Sequence, residues 1–243
     1  MKTYGLIGRN ISYSFSKAYF TKKFEQEDIE AEYLNFDLQE IVQIHNILKE
    51  TSELSGLNVT IPYKEQIIPF LSKSDPIAKK IGAVNTIKID TNGALTGFNT
   101  DYYGFLESLR PHLKQNHKKA LILGTGGASK AIAYALTKLG ITYTFVSRKP
   151  KKDQFNYSEL NKDILEENHL IINCTPLGTF PNIEEYPPIP VEFLSADHLI
   201  YDLIYNPEIT QLMKLALNAN AKVVNGEKML ELQAEKAWEI WNQ

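Results

Sequence analysis

Cysteine, net charge and long hydrophobic runs are all scarce in this sequence of 243 residues. Cys174 is the only cysteine, so no intrachain disulfide can form, and we expect a reducing compartment, the cytoplasm. The formal net charge is −3 with both signs interspersed, which favours neither nucleic acid nor an anionic membrane as a partner. No run approaches the roughly 18 apolar residues of a membrane span, and the N-terminus lacks the apolar length of a signal peptide.

Strand-like and helix-like segments alternate along the chain, a pattern that predicts an α/β fold. The predicted strands are 4–7, 31–38, 56–59, 83–89, 94–98, 119–123, 142–146, 170–173, 198–202 and 222–224. The predicted helices are 17–27, 38–50, 101–109, 126–139, 206–219 and 228–241. Ser16 is expected to cap the first helix, because its hydroxyl can accept an orphan backbone N–H. Asn92-Gly93 predicts a hairpin turn.

Two short stretches hold polar residues where folding alone would not place them. They are NVTIPYKE at 58–65 and GFNTD at 97–101. Each follows a strand-like run and supplies one candidate for the chemistry, Lys64 in the first stretch and Asp101 at the start of the predicted helix 101–109. A lysine and an aspartate brought together at strand ends make a proton-transfer pair. The alternatives are a solvated lysine and an aspartate that only caps its helix.

A glycine-rich turn lies between a strand and a helix of a predicted βαβ unit at 119–146, which implies parallel strands. Its residues are Gly124, Thr125, Gly126, Gly127 and Ala128. Gly124 permits the tight turn, and Gly126 lets the backbone approach a pyrophosphate at the helix N-terminus. Ser129 takes the third small position of the dinucleotide pattern. Such a loop is weak evidence alone, but its place between strand and helix favours a nucleotide site.

The residues after the second strand of this unit indicate the cofactor. NAD enzymes usually place an acid there, which accepts the ribose 2′-hydroxyl. This chain has Ser147, Arg148 and Lys149 instead, and an arginine can hold a 2′-phosphate with two parallel hydrogen bonds. A solvated basic loop is the alternative, but the position favours NADP. Proton transfer beside a nucleotide loop predicts a nicotinamide-dependent dehydrogenase that acts on an alcohol.

Eight sequence blocks, in order, resemble the shikimate dehydrogenase family, and the resemblance runs nearly end to end. The blocks are GLIG at 5–8 with SFS at 14–16, NVTIPYK at 58–64, GAVNT at 82–86, GFNTD at 97–101, the glycine loop at 124–128, INCTPLG at 172–178, YDLIYNP at 201–207, and GEKML at 226–230 with QA at 233–234. Tyr13 departs from the pattern, since many members have His there. Ser147 and Lys149 replace an Asn and a Thr that commonly flank the cofactor arginine.

The resemblance implies reversible reduction of 3-dehydroshikimate to shikimate by NADPH, on the route to chorismate and the aromatic amino acids. Lys64 and Asp101 would carry the proton step. The implied substrate ligands are Ser14, Ser16 and Tyr205 for the carboxylate and Thr60, Asn85 and Gln233 for the ring hydroxyls. The implied cofactor ligands are Gly124, Thr125, Gly126, Gly127, Ala128, Ser147, Arg148, Lys149, Leu203 and Gly226.

The resemblance also implies two α/β domains. Residues 1–100 would bind and convert the substrate, 101–227 would form a Rossmann-like NADP domain, and 228–243 would return to the first domain as a helix. The five histidines lack metal-ligand companions, so no metal is expected, and the chain is expected to be a monomer or homodimer. Two alternatives are a quinate/shikimate dehydrogenase that uses NAD or NADP, and a non-catalytic protein that senses a shikimate-like ligand.

Overall fold

The chain divides into two compact units, Met1–Tyr103 with Glu231–Gln243, and Gly104–Leu230. The structure is a computed structural model that describes residues 1–11 and 14–243, so Tyr13 lies outside the described residues. Within those ranges, no helix combines the length and the apolar character that crossing a membrane requires.

A mixed sheet of six strands forms the centre of the first unit. The strands are β1 (Lys2–Gly8), β2 (Ala31–Asp37), β3 (Leu54–Val59), β4 (Lys73–Ser74), β5 (Thr86–Ile89) and β6 (Leu95–Phe98). Their order is β2-β1-β3-β5-β6-β4. The strand β1 pairs parallel with β2 and β3, whereas β5 pairs antiparallel with β3 and β6. The predicted hairpin therefore joins β5 to β6.

Helices cover both sheets. Those in the described residues are α1 (Phe15–Gln26), α2 (Ile44–Glu50), α3 (Pro76–Ile81), α4 (Asp101–Leu109), α5 (Gly127–Lys138), α6 (Lys162–Glu167), α7 (Gln211–Asn218) and α8 (Glu227–Trp241). In the first unit, Tyr4 of β1 packs with Phe20 of α1 and Trp241 of α8, while Ile7 belongs to a second cluster that contains Leu57. This alternation is the strand period of two, and it buries both faces of the sheet.

The second unit is built on a parallel sheet of five strands, β7 (Lys119–Leu123), β8 (Thr142–Val146), β9 (Leu170–Asn173), β10 (Leu199–Asp202) and β11 (Lys222–Val224). The order is β11-β10-β9-β7-β8. After β8 the chain crosses to the other side of β7, so the strand order reverses between β7 and β9. In open parallel sheets, ligands bind at the carboxyl ends of the strands at such a reversal.

Several predicted elements have the observed bounds, among them the helix 101–109 and the strands 119–123, 142–146 and 170–173. The prediction that Ser16 caps the first helix is wrong. Ser14 has the extended backbone of an N-cap, with φ −140° and ψ 139°, and its Oγ accepts the N–H of Lys17. The helix α1 therefore begins at Phe15, and Ser16 lies inside its first turn.

Two predicted helices are shorter than expected. The segment 38–50 contains α2, preceded by a 3₁₀ turn at Ile41–Gln43. The Gln43 side-chain oxygen accepts the backbone N–H groups of Gln39 and Glu40. These hydrogen bonds stabilise the 3₁₀ turn as an element distinct from α2. The segment 206–219 becomes helical only at Gln211, because Thr210 caps α7 by accepting the N–H of Met213.

Candidate active site

Lys64 and Asp101 form an ion pair in the first unit. Lys64 lies in the turn after β3, and Asp101 is the first residue of α4. The distance from Lys64 Nζ to Asp101 Oδ2 is 2.7 Å, and the two side chains are 16% and 9% exposed. Removing two charges from water costs free energy that their attraction often fails to recover, so stability alone is a weak reason for this pair. The catalytic role of the two residues stays a prediction.

Asp101 is not the cap of its helix. It is Asn99 whose Oδ1 accepts an N–H of the first turn, that of Tyr102, at 3.2 Å, while its Nδ2 donates to the Ala83 carbonyl at 3.0 Å. Both Asp101 carboxylate oxygens therefore face other partners, Lys64 on one side and Asn85 on the other. The N-terminus of α4 also favours a negative charge at this position.

Asn85 joins Asp101 to the C-terminal helix α8. Its Nδ2 lies 2.9 Å from Asp101 Oδ1, 2.9 Å from Thr100 Oγ1 and 3.3 Å from Gln233 Oε1. Its Oδ1 accepts the Thr100 backbone N–H at 2.6 Å. Asn85, Asp101 and Gln233 are all buried. The structure thus brings three of the predicted site residues into direct contact, although Gln233 lies far away in sequence.

The remaining predicted substrate ligands have different surroundings. Ser14 Oγ donates to Asn35 Oδ1 at 2.9 Å, so Ser14 is tied to β2 as well as to its helix. Thr60 is half-buried directly after β3, four positions before Lys64. Tyr205 belongs to the second unit, where it is half-buried between β10 and α7. The roles of these residues toward a substrate carboxylate or hydroxyl stay predictions.

Sequence reasoning gave no role to four buried polar residues of this region, namely Tyr33, Asn58, Thr86 and Thr100, although Asn58 and Thr100 lie in the two polar stretches that it singled out. Asn58 and Thr86 stand inside apolar strand runs, at 3% and 0% exposure. A buried amide or hydroxyl needs hydrogen-bond partners. A polar residue at a core position of a strand is therefore the signal that could have found Tyr33, Asn58 and Thr86.

The glycine loop has the geometry of a nucleotide-binding turn. Gly124 has φ +98°, and a Cβ there would lie 3.1 Å from Thr175 Cγ2. Gly126 is the N-cap of α5, with no side-chain hydrogen bond closing that end of the helix. A Cβ on Gly126 would meet no protein atom within 4 Å, and its φ of −75° suits any residue. The protein itself therefore gives no reason for a glycine at 126, whereas a closely approaching ligand would.

Ser129 shows why a serine serves as the third small residue of this loop. It is 1% exposed, and its Oγ donates to the Gly126 carbonyl at 2.7 Å. Thr125 is exposed, and Gly127 and Ala128 begin α5. The first N–H groups of an α-helix have no carbonyl partner within the helix, which is what an anion site uses.

The basic loop after β8 is exposed at Arg148 and Lys149. Ser147 Oγ accepts the Lys149 N–H at 3.2 Å, and the Arg148 carbonyl accepts from Asn156 Nδ2 at 3.4 Å. Within residues 1–11 and 14–243, no carboxylate pairs with the Arg148 guanidinium. Burial raises the pKa of Tyr157 to about 12, and the positive charge of Arg148 opposes that rise. Arg148 is therefore an available cation beside a neutral phenol.

Leu203 and Gly226 lie against each other in the second unit. A Cβ on Gly226 would come within 2.1 Å of the Leu203 carbonyl oxygen, so only glycine fits there. The Gly226 N–H also donates to the Ile204 carbonyl at 3.1 Å. This contact holds the start of α8 beside the end of β10. The structure gives Gly226 a packing reason, and the cofactor role of both residues stays a prediction.

A buried carboxylate organises the strand ends of the second unit, which sequence reasoning also missed. Asp202, at the end of β10, accepts from Asn173 Nδ2 at 3.0 Å, from Thr210 Oγ1 at 2.8 Å and from the Ile204 N–H at 3.1 Å. Burial raises the pKa of Asp202 to about 6, against the effect of these three hydrogen bonds. Burial and the nearby Asp202 charge raise the pKa of the Cys174 thiol, which makes a reactive thiolate unfavourable.

The described residues contain no group of three His, Cys, Asp or Glu side chains that could hold a metal ion. The first unit offers the Lys64–Asp101 pair with the surrounding amides and hydroxyls, and the second unit, taken by itself, offers a nucleotide loop. Such a set can donate a proton, bind hydroxyl groups and hold a phosphate.

Comparison with known proteins gives consistent results. Residues 6–87 match the model of the shikimate dehydrogenase substrate binding domain. Over 252 residues the chain is 39% identical to shikimate dehydrogenase (NADP(+)) of Clostridium botulinum, with 99% of this chain and 96% of the relative covered. The solved structure of shikimate 5-dehydrogenase from Thermus thermophilus in complex with NADP(H) and shikimate is 30% identical, with a TM-score of 0.87, and covers 99% of this chain and 93% of that one. Quinate dehydrogenase from Corynebacterium glutamicum in complex with NAD is 25% identical, with the same TM-score and the same coverage.

Proposed function

The chain belongs to the shikimate dehydrogenase family, and from this premise we propose that it catalyses the reversible reduction of 3-dehydroshikimate to shikimate with NADPH. The observation that carries the proposal is the sheltered ion pair between Lys64 and Asp101, which joins Asn85 and Gln233 in one hydrogen-bonded group. This group offers a proton donor beside ligands for ring hydroxyls, as the reaction requires.

NADPH supplies the hydride that reduces the carbonyl carbon. Negative charge then develops on the carbonyl oxygen, and the Lys64 ammonium stabilises that charge and donates a proton to the oxygen. Asp101 holds the ammonium in position through its Oδ2 and is available to a substrate hydroxyl. In the reverse direction, Lys64 as the neutral amine accepts the proton of the shikimate hydroxyl, and the hydride from the same carbon would pass to NADP⁺.

The proposed substrate ligands are the predicted ones. Ser14, Ser16 and Tyr205 would bind the carboxylate, and Thr60, Asn85 and Gln233 the ring hydroxyls. The first unit would then be the substrate unit, with boundaries close to the predicted 1–100 and 228–243. The sheltered hydroxyls and amides near Lys64 support this assignment, because a small ring with several hydroxyls needs ligands that both donate and accept.

The second unit would bind NADP. The loop from Gly124 to Ala128 would hold the pyrophosphate on the N-terminus of α5, and the open space at Gly126 supports this fit. Ser147, Arg148 and Lys149 would bind the 2′-phosphate, and Leu203 and Gly226 would line the site. The absence of a carboxylate partner for Arg148 within the described part of the chain supports the choice of NADP.

Two alternatives bear on the proposal. The similarity to a quinate dehydrogenase in complex with NAD favours activity on quinate, or use of NAD, as the second candidate. A non-catalytic sensor is less consistent with the Lys64–Asp101 pair, because ligand sensing needs no proton donor. We also propose that the protein is cytoplasmic, as its single cysteine supports. A monomer or homodimer is proposed as well, and light scattering on the purified chain would measure this.

Steady-state kinetics test the proposed function. The purified chain should be assayed with shikimate and with quinate, each with NADP⁺ and with NAD⁺, by following reduced nicotinamide. We expect the highest kcat/KM for shikimate with NADP⁺. Higher kcat/KM for quinate or with NAD⁺ would favour the second candidate. Binding of shikimate without turnover of any of the four pairs would favour the sensor.

A further inference from the structure

A chain of buried hydrogen bonds connects side chains of neighbouring strands in the first sheet and leads to Asp101. It begins at Tyr33 on β2, whose hydroxyl donates to Asn58 Oδ1 on β3 at 2.7 Å. Asn58 Nδ2 then donates to Thr86 Oγ1 on β5 at 3.3 Å and to the Asn85 carbonyl at 3.3 Å. Tyr33 and Asn58 are each 3% exposed, and Thr86 is fully buried. Bulk water therefore does not reach these side chains to replace one of their hydrogen bonds.

The hydrogen-bond chain continues from Thr86 to the ion pair. Thr86 Oγ1 donates to Asn85 Oδ1 at 3.3 Å, and Asn85 Nδ2 donates to Asp101 Oδ1 at 2.9 Å. Lys64 occupies the other Asp101 oxygen at 2.7 Å. Every link from Tyr33 onward donates in the same direction and ends on the carboxylate. Hydrogen bonds aligned in this way polarise and orient one another.

Tyr33 sets the donor-to-acceptor direction of this hydrogen-bond chain. Burial raises the pKa of its phenol, with a hydrogen bond from Ser16 opposing the rise, so the hydroxyl stays protonated and acts as a donor. The ring is fixed by stacking on Phe20, with centroids 4.8 Å apart and an interplanar angle of 12°. Because Asn58 Oδ1 accepts from Tyr33, the Asn58 amide nitrogen is the end that faces Thr86.

We propose that Tyr33 is a positioning residue for the reaction, which holds Asn85 and Asp101 in the orientation that Lys64 needs by fixing the Asn58 amide. The proposal rests on the proposed function. Tyr33 is only 3% exposed, so it acts through its hydrogen-bonded neighbours, and the neighbour that leads to Asp101 is Asn58. Without the Tyr33 hydroxyl, Asn58 Oδ1 would be a buried acceptor with no donor among residues 1–11 and 14–243, and the amide would shift to find one.

The test compares Tyr33→Phe with Tyr4→Phe. Both changes remove one buried hydroxyl from the same aromatic cluster, but the Tyr4 hydroxyl has no hydrogen-bond partner in the described part of the chain. We expect Tyr33→Phe to lower kcat for shikimate oxidation about tenfold, the usual order for leaving one buried hydrogen-bonding group unsatisfied. The KM for NADP⁺ should stay within about twofold of the parent value, since no residue of the hydrogen-bond chain belongs to the glycine loop. Tyr4→Phe should leave kcat and both KM values unchanged.

A double variant tests the route of the effect. If Tyr33 acts through Asn58, adding Tyr33→Phe to Asn58→Ala should lower kcat no further than Asn58→Ala alone. Thermal unfolding of each variant, followed by circular dichroism, verifies that the fold is retained. A parent that oxidises shikimate while Tyr33→Phe matches Tyr4→Phe in kcat would overturn the positioning role alone. A parent that oxidises no shikimate would overturn the proposed function, and the positioning role with it.

Discussion

A lysine ammonium 2.7 Å from a carboxylate in a sheltered site is held in one place, and a fixed position is what a proton donor needs. Solvated lysines lose this advantage, because their four-carbon side chains sample many rotamers. Asn99 accepts the Tyr102 N–H in the first turn of α4, and the Asp101 carboxylate accepts from Lys64 and Asn85. At the scale of single residues, the proposed chemistry therefore depends on where the carboxylate points.

Lys64→Ala should lower kcat about 10²–10⁴-fold while changing the KM for shikimate less, because the lost interaction strengthens as charge develops on the carbonyl oxygen. Initial rates with saturating shikimate and NADP⁺ measure this. Asp101→Asn should also impair turnover, and the double variant should lose less than the product of the two single losses if the pair acts as a unit. Near-normal kcat in Lys64→Ala would remove Lys64 from the mechanism.

Arg148 permits a second prediction at this scale. A 2′-phosphate adds up to two negative charges where NAD has a hydroxyl, and an arginine can bind it with two charge-assisted hydrogen bonds. Exposure and salt weaken such bonds, so we expect the parent to prefer NADP⁺ about 10²-fold in kcat/KM. Arg148→Asp should repel the phosphate and accept from the NAD ribose, reversing the preference mainly through KM.

Measured kcat/KM values for both cofactors, in the parent and in Arg148→Asp, decide the matter. Lys151→Asp is a matched control, since it makes the same charge change at an exposed position of the same loop. A general effect of loop charge would appear in both variants. A parent that prefers NAD⁺, or a variant that keeps the NADP⁺ preference, would mean that the basic loop is only a solvated surface.

Local sequence singles out the charged pair of the site, but it does not show which buried polar residues contact each other. Lys64 and Asp101 stand at strand ends in short polar stretches, so local sequence identifies them. Asn58 and Thr86 find each other across 28 positions, and Asn85 and Gln233 across 148. Periodicity predicts which face of a strand is buried, but not which buried polar group meets which. Ser14 and Ser16 show the same limit within one turn, since either could cap α1 by composition.

At the scale of elements, α8 links the C-terminus to the site. Trp241 anchors this helix: it is 5% exposed, its Nε1 donates to the Ile87 carbonyl at 2.9 Å, and its ring stacks on Tyr4 with centroids 4.8 Å apart. A Cβ on Gly56 would come within 2.4 Å of the same ring, so the strand beneath is glycine for a packing reason. Two turns earlier the helix places Gln233 against Asn85.

Trp241→Ala should destabilise the protein by about 3–5 kcal/mol, the usual cost of deleting a buried aromatic side chain. Because the anchor also positions Gln233, kcat/KM for shikimate should fall at temperatures where the variant remains folded. Trp238→Ala, on the same helix but half-buried, is the control and should cost less. Urea unfolding monitored by far-UV circular dichroism measures the stabilities. Equal costs for the two tryptophans would contradict the anchoring role of Trp241.

Elements marked by a clear apolar pattern could be predicted, and short capped helices could not. Apolar runs with polar neighbours give the bounds of β7 and β9, and helical periodicity gives those of α4. The helices α3 and α6 have six residues each and owe their existence to caps, since Asp75 accepts the N–H groups of Ile77 and Ala78, and Asn161 accepts that of Ile164. An apolar stripe needs more than six residues to be visible, so only the capping pattern Asp75-Pro76 signals α3.

At the scale of the whole molecule, buried titratable groups change the stability of the fold in opposite directions as the pH falls. Burial lowers the pKa of His117 and His198 and raises that of Asp202 to about 6. Below the ordinary pKa of histidine, an unfolded chain takes up protons that the folded state resists, so the two histidines favour unfolding in acid. For Asp202 the sign is opposite. Its folded state keeps the proton between about pH 4 and 6, where an unfolded aspartate has lost it, and its contribution to stability declines as pH rises through that window.

Asp202→Asn isolates the carboxylate from the histidines. Two pKa units correspond to about 3 kcal/mol, so the stability of the parent relative to the variant should rise by up to that amount between pH 7 and pH 4. For a chain of this size each kcal/mol shifts the midpoint by about 2–4 °C, and calorimetric Tm values at half-unit pH steps resolve this. Asp28→Asn removes one exposed negative charge at a left-handed position (φ 51°) that asparagine accepts, and is the control for net charge. If the difference between parent and Asp202→Asn falls toward acid, or follows that of Asp28→Asn, the carboxylate does not hold its proton in the folded state, and its hydrogen bonds to Asn173, Thr210 and Ile204 outweigh its burial.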